Sequence, residues 1–196
     1  MNRIAYYRYY KKMEIDDKAI LLESQHGDNL NGNIFYLLKE LNKNNYGLKV
    51  YVAVKKNKID NFSLLLSSYG IGNIELVKMF SKEYYRLCAS AKYLVNDTSF
   101  LPFFIKKKGQ VCLNTWHGTP FKTLGRSDNA DYYNLGNVQR NFIFSDYLLY
   151  PNEYTKKHMV EDYMLENTAE SEIVLSGYPR NSAFFTDNDG IKQKIK

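Results

Sequence analysis

Short apolar segments that alternate with helix-forming segments are the feature of this sequence that most limits its fold. Each apolar run is bounded by polar or turn-forming residues, as buried strands are. The runs are Ala19–Leu22, Lys49–Val54, Ile74–Val77, Tyr93–Asn96, Val111–Leu113, Tyr147–Tyr150 and Ile173–Leu175. Strands separated by helices of ordinary length indicate βαβ units and a mainly parallel sheet. The sequence therefore predicts one Rossmann-like α/β domain.

The segments between these runs predict helices and capping residues. The helices are predicted at Ile34–Leu41, Ile59–Ser68, the residues after Ser81, Val138–Phe144 and Asn152–Met164. Ser81 is a good N-cap residue, Asn152 or Thr155 could open the last helix, and Asn31 or Asn33 could cap the first. Ligands of open α/β sheets bind beyond the carboxyl ends of the strands. We therefore expect the site in the loops His26–Asn33, Asn96–Leu101, Thr115–Gly125 and Gly177–Asn181.

Charge, cysteine content and hydropathy exclude several classes of protein. The 27 Lys and Arg exceed the 21 Asp and Glu, and a net charge of +6 permits an anionic substrate, a membrane surface or a nucleic acid as partner. No nucleic-acid-binding motif, P-loop or complete dinucleotide fingerprint is present, so we expect no nucleic-acid partner. Cys88 and Cys112 cannot form a disulfide framework, and with the three His they show no zinc spacing. We expect a reduced, cytosolic setting, no metal and no cofactor.

The segment Val111–Gly125, with the sequence VCLNTWHGTPFKTLG, carries the clearest chemical signal. His117 follows a predicted strand at its carboxyl end, where its side chain faces the expected ligand crevice. Gly118 allows an unusual turn or a close approach to a ligand. Thr119 and the proline after it predict a helix start, whose free N–H groups, with Lys122, would suit a phosphate. His117 is thus a candidate general base, or else a histidine that only hydrogen-bonds a carbonyl at a tight turn.

The residues LNTWHGTPFKTLGR resemble the tryptophan–His–Gly–Thr–Pro segment of the CDP-glycerol glycerophosphotransferase family, the teichoic acid polymerases and primases. Three further stretches resemble the same family in the same order, at Ile20–Asn33, Ala91–Gln110 and Ser145–Asn181. The resemblance extends over the chain from about Lys18 onward. It implies a GT-B arrangement of two Rossmann-like domains, of which this chain matches the N-terminal, acceptor-side domain.

The resemblance also implies an activity. The family moves glycerol phosphate from CDP-glycerol to a hydroxyl of a lipid-linked acceptor and releases CMP. It works at the cytoplasmic face of the membrane, in the synthesis of teichoic acid or capsule-like polymers. The first essential histidine of the family corresponds to His117, with the role of general base. The alternative hypothesis is a module that binds an acceptor or a membrane without catalysis.

The same resemblance divides the chain into three parts. Residues 1–17 are a basic, tyrosine-rich extension, residues 18–186 the Rossmann-like domain, and residues 187–196 the start of an interdomain linker. The family carries its second essential histidine and most nucleotide contacts in a second domain. We expect that domain to be absent from this chain, and the chain by itself to be an incomplete enzyme.

Several residues of the predicted crevice are hypothetical substrate ligands. They are Gly118, Thr119, Lys122, His26, Asn96, Arg180 and Asn181. For His26 the alternative is a surface-loop position, for Asn96 the capping of the next turn, and for Arg180 and Asn181 a plain turn. His158 is expected to be solvated on its helix.

The first twelve residues carry four positive charges and no acid, interleaved with tyrosines. Such a segment suits a bilayer interface with anionic lipids, or else forms an ordinary solvated helix.

Overall fold

A computed structural model describes residues 3–44, 46–128 and 132–185. Its strands are β1 (Asp16–Glu23), β2 (Lys49–Val54), β3 (Ile74–Lys78), β4 (Ala91–Asn96), β5 (Val111–Asn114), β6 (Tyr147–Tyr150) and β7 (Glu172–Leu175). All neighbouring strands pair in parallel, in the order β3-β2-β1-β4-β5-β6-β7. The predicted strands and the predicted parallel sheet are confirmed.

Helices connect most of these strands. They are α1 (Arg3–Lys12), α2 (Gly32–Lys43), α3 (Ile59–Ser68), α4 (Lys82–Ser90), α5 (Tyr132–Phe144) and α6 (Glu153–Asp162). Two predicted caps are confirmed. The Ser81 hydroxyl accepts a hydrogen bond from the Tyr84 N–H (3.1 Å), and Asn152 Oδ1 accepts one from the Thr155 N–H (2.8 Å). Each cap satisfies a donor that the first turn of its helix leaves free.

The sheet separates two hydrophobic cores. Leu21 and Leu22 are both fully buried, and as neighbours on β1 they point to opposite faces. Leu21 packs in the core with α1 and α4, and Leu22 in the core with α2 and α3. Burial of both faces explains why the strands appear as continuous apolar runs rather than as alternating ones. A third cluster surrounds Trp116 and Phe142, beside β6.

Helix α1 is packed against the domain. Tyr6 is 2% exposed in the core with α4, and its hydroxyl donates to the Ile105 carbonyl oxygen (2.8 Å). The other side of the helix exposes Arg3, Ile4, Tyr7, Arg8, Lys11 and Lys12. The sheet begins at Asp16, two residues before the predicted domain boundary. The predicted linker, residues 187–196, lies outside the described residues. No helix in the described ranges is both long enough and apolar enough to span a bilayer.

The order of the strands reverses at the β1–β4 pair. From β1 the chain continues to β2 and β3 on one side, whereas β5, β6 and β7 follow β4 on the other. The loops after β1 and β4 therefore diverge and leave a crevice at the carboxyl edge of the sheet, where Rossmann-like folds bind their ligands.

Candidate functional site

His117 lies at this edge, three residues beyond the end of β5. Its Nδ1 is 2.9 Å from the backbone oxygen of Asp97, the residue that follows β4. A carbonyl oxygen can only accept a hydrogen bond, so Nδ1 carries the hydrogen. In the neutral imidazole the lone pair is then on Nε2. The fold thus presents an exposed histidine whose ring has a defined orientation.

An unusual backbone conformation at Trp116 turns His117 outward. Trp116 has a φ of 50°, in the left-handed region, and its N–H donates to Asn114 Oδ1 (2.8 Å). Its indole ring is buried against Phe142 and Tyr163. A bulky residue adopts this conformation only where packing enforces it. Of the two predictions for Gly118, an unusual turn or a close approach to a ligand, the turn is wrong, because Gly118 is not among the residues with positive φ.

The predicted helix after Thr119 is wrong. The residues from Thr115 to Leu124 form neither helix nor strand, so no helix N-terminus offers N–H groups to a phosphate at this position. Gly125 ends this stretch with a φ of +55° and begins a short 3₁₀ turn, Gly125–Ser127. Only five residues separate the threonine from that turn, which is too few for a helix to gain from its own hydrogen bonds.

Asn33 holds the segment before His117 in place. Its side chain is 2% exposed, and Nδ2 donates to the carbonyl oxygens of Thr115 (3.3 Å) and Trp116 (3.0 Å). Its Oδ1 accepts from the Arg180 N–H (3.4 Å), and Arg180 Nη1 donates to the His117 carbonyl oxygen (2.9 Å). The sequence indicated Asn33 only as a possible cap, because contacts so distant along the chain leave no local pattern.

Two cavities border His117. The first has a volume of about 370 Å³ and polar walls that include Gln25, Asn33, Tyr36, Asp97 and Arg180. The second, of about 230 Å³, is lined by Trp116, Lys122, Leu124, Val138 and Tyr163. Of the predicted site residues, the structure thus brings together His117, Arg180 and Lys122. His117 therefore borders both a polar cavity and one of mixed character.

The Asp97 carboxylate fixes the loop after β1. It accepts hydrogen bonds from the Ser24 hydroxyl (2.9 Å) and the Gln25 N–H (2.8 Å). Burial raises the pKa of the Asp97 carboxyl group, while these two hydrogen bonds and the charge of His117 act in the opposite direction. Asp97 therefore positions two loops, one through its side chain and the other through its backbone oxygen.

His26 lies in the same loop, with its side chain 53% exposed. Its Nδ1 is 3.7 Å from Oε1 of Glu23, which is fully buried at the end of β1. The Glu23 carboxylate raises the pKa of the His26 imidazole, and partial burial lowers it. His26 is not among the residues that line either cavity at His117.

The remaining predicted ligands lie outside these two cavities. Asn96 is 2% exposed, and its Oδ1 accepts from Asn114 Nδ2 (2.7 Å), so it joins β4 to β5. The Asn181 N–H donates to the Tyr178 carbonyl oxygen. Thr119 and Gly118 are half-buried beside the site. Within the described ranges, no three His, Cys, Asp or Glu side chains converge as metal ligands would.

Comparison with known proteins identifies the family. A family model described as CDP-Glycerol:Poly(glycerophosphate) glycerophosphotransferase matches residues 5–196. The chain belongs to this family. The resemblance inferred from the sequence is therefore confirmed.

The relatives of this family member are teichoic acid enzymes. The teichoic acid poly(glycerol phosphate) polymerase of Bacillus spizizenii is 30% identical over 185 residues, which cover 88% of this chain and 43% of the relative. The protein of the same description from Bacillus subtilis is 28% identical, covering 91% of this chain and 23% of the relative. The chain thus spans less than half the length of these relatives.

Solved structures agree on the fold. A variant of the wall teichoic acid polymerase TagF, soaked with CDPG, superimposes with a TM-score of 0.77 at 21% identity, and the match covers 98% of this chain and 47% of that one. TagF without a soak gives a TM-score of 0.76. The α/β architecture described above is therefore that of the matching half of TagF.

Proposed function

We propose that this chain contributes the acceptor side of a glycerophosphotransferase that builds teichoic acid or a related polymer. The donor is CDP-glycerol, the acceptor is a hydroxyl of a lipid-linked glycerol phosphate, and the complete enzyme has a GT-B arrangement. Family membership supports the reaction class. The observation that carries the proposal for this chain is the His117–Asp97 hydrogen bond, which leaves Nε2 as the free base at the crevice.

In the proposed reaction, the acceptor oxygen attacks the phosphorus that bears glycerol, and the bond from that phosphorus to CMP breaks. The proton of the acceptor hydroxyl passes to Nε2 of His117, and CMP leaves with the bond's electron pair. The resulting imidazolium is stabilised by the Asp97 carbonyl oxygen, which accepts from Nδ1–H. Arg180 and Lys122, one on each side of the imidazole, would stabilise the phosphate charge.

The proposal is tested by His117→Gln, which keeps a polar side chain but has no group that takes up a proton. Transfer of glycerol phosphate should fall by about 10²–10⁴-fold, the usual contribution of a general base. His158→Gln is the matched control, because His158 lies on α6 and packs against Tyr154. Circular dichroism checks the fold of both variants. Normal turnover by His117→Gln in the full polypeptide would contradict the role of base and favour the non-catalytic binding module.

We also propose that the protein acts as a peripheral protein at the inner face of the cell membrane. Support comes from the exposed side of α1, where Arg3, Arg8, Lys11 and Lys12 accompany Ile4 and Tyr7. Anionic lipids attract such residues by roughly 1 kcal/mol per cation near the surface. The affinity for phosphatidylglycerol vesicles, measured by sedimentation, should therefore fall by about ten-fold or more in Arg8→Gln/Lys12→Gln. Equal sedimentation of wild type and variant would contradict the membrane contact.

A further inference from the structure

A third cavity continues from the polar cavity at His117 along the outer side of α2. It has a volume of about 310 Å³, and its walls include Tyr36, Lys39 and Lys43. Tyr36 borders both cavities. The turn Pro179–Phe184 also borders both, through Arg180 in the first and its Ser182 in the second. The two cavities are therefore successive parts of one groove between α2 and this turn, which we call the α2 groove.

Two lysines follow the groove away from His117. Tyr36, Lys39 and Lys43 are separated by three and four residues, so they share one face of α2. At 1.5 Å per residue, the helix rises by about 10 Å from the first to the last. Within the described ranges, neither Lys39 nor Lys43 forms an ion pair with a carboxylate. Their charges are available to an anion in the groove.

Aromatic rings fix the position of the first of these charges. Lys39 Nζ lies 5.1 Å from the ring centroid of Tyr36 and 5.4 Å from that of Tyr69. Such contacts hold an ammonium group without neutralising it. The one acid in the wall, Glu40, already accepts a hydrogen bond from Asn44 Nδ2. Since Lys39 covers the faces of the rings, the groove offers a planar base little to stack on.

We propose that the α2 groove binds the polymer behind its reacting end, as a run of glycerol phosphodiesters whose successive phosphates meet Lys39 and Lys43. This inference rests on the proposed function and adds to it a distal acceptor subsite. The ligand that fits is a flexible chain of anions joined by short polar linkers, because the cations are spaced along an open groove. Tyr36, Asn42 and Ser182 add hydroxyl and amide groups to the walls of the same cavity.

The test measures binding of fluorescently labelled synthetic glycerol phosphate oligomers by fluorescence anisotropy. The wild-type chain should bind a hexamer more tightly than a monomer. Lys39→Gln/Lys43→Gln should weaken hexamer binding about ten-fold, as the loss of two exposed ion pairs predicts, and should leave monomer binding unchanged. Lys39→Arg/Lys43→Arg keeps both charges and should bind the hexamer as tightly as the wild type does. The control is Lys82→Gln/Lys108→Gln, which removes the same charge from exposed positions outside the groove.

Two results would overturn the subsite. One is equal affinity of the wild type for monomer and hexamer, and the other is the same loss of hexamer affinity in the control variant, which would indicate attraction by net charge alone. The binding assay needs no turnover, so it separates the two proposals. Length-dependent binding without transferase activity in the full polypeptide would retain the groove and reject the proposed reaction. Transferase activity in the full polypeptide, with equal affinity for monomer and hexamer, would retain the proposed reaction and reject the groove.

Discussion

A buried hydrogen bond between Tyr84 and Glu23 gives a stability prediction with an internal control. The Tyr84 hydroxyl donates to Glu23 Oε2 at 2.6 Å, and both side chains are fully buried. Tyr84→Phe keeps the ring but leaves that carboxylate oxygen without its donor. Tyr150 is equally buried, yet its hydroxyl has no hydrogen-bond partner among the described residues. The same substitution therefore removes a hydrogen bond at one site and an unsatisfied group at the other.

Tyr84→Phe should lower the free energy of unfolding, and Tyr150→Phe should not. A hydrogen bond to a carboxylate contributes roughly 1.5–3 kcal/mol, so we expect Tyr84→Phe to cost about 2 kcal/mol. In a domain of this size that loss lowers the Tm by roughly 4–8 °C. Tyr150→Phe should leave stability unchanged or raise it by about 1 kcal/mol, because it no longer buries an unpaired hydroxyl.

Urea unfolding followed by far-UV circular dichroism measures both changes. The slope of the free energy against urea concentration should be the same in wild type and variants, so that shifts of the midpoint report stability. If Tyr84→Phe were as stable as the wild type, the reasoning would be refuted. An equal loss in Tyr84→Phe and Tyr150→Phe would refute it too, because ring packing rather than the hydroxyl would then set the cost.

Three further predictions concern the loops around His117. Gly125→Ala should destabilise the fold by about 2 kcal/mol or more, since a Cβ at this left-handed position would lie 2.1 Å from the Asp162 carbonyl oxygen. Asn33→Ala should cost about 1–3 kcal/mol, because it removes the Asn33 donor from two buried carbonyl oxygens, of which, among the described residues, only that of Trp116 keeps another donor, the Thr115 hydroxyl. The pKa of His26 is raised by Glu23, so its contribution to stability is fully present below pH about 6.5 and is lost as pH rises through the raised value.

Thermal melts check the first two predictions, with Gly118→Ala as the control because a Cβ there meets nothing. If Gly118→Ala and Gly125→Ala had equal melting temperatures, the prediction for Gly125 would be contradicted. If Asn33→Ala had the melting temperature of the wild type, the prediction for Asn33 would be contradicted. For the third, the difference in unfolding free energy between wild type and His26→Gln is measured from pH 5 to 9. A difference that grows as the pH rises would contradict the stabilising effect of the Glu23 carboxylate on the protonated imidazole.

The central strands, such as β1, were predictable because they are buried on both faces. Runs such as residues 50–54 are then hydrophobic without interruption and stand out from the polar loops. Their carboxyl ends in turn indicate where a ligand binds, so His117 could be proposed from its place after β5. Ser81 was equally predictable as a cap, because its partner lies only three residues away.

The sequence was a poorer guide where distant contacts decide the structure. Thr119 and Pro120 carry a local helix signal, but Gly125 interrupts the chain within about one turn, and Pro120 is buried instead. Asn96 ends a strand at the edge where ligands bind, yet its amide oxygen accepts a hydrogen bond from Asn114 on the neighbouring strand. Asn33 acts on carbonyl groups more than 80 residues away, which no local pattern indicates.

The packing of Trp116 gives this protein an optical probe of its own site. Trp116 is the only tryptophan in the chain, and its ring centroid lies 4.1 Å from that of the His117 imidazole. A protonated imidazole at this distance quenches indole fluorescence. Intrinsic emission excited at the tryptophan band therefore reports changes at His117 without any label.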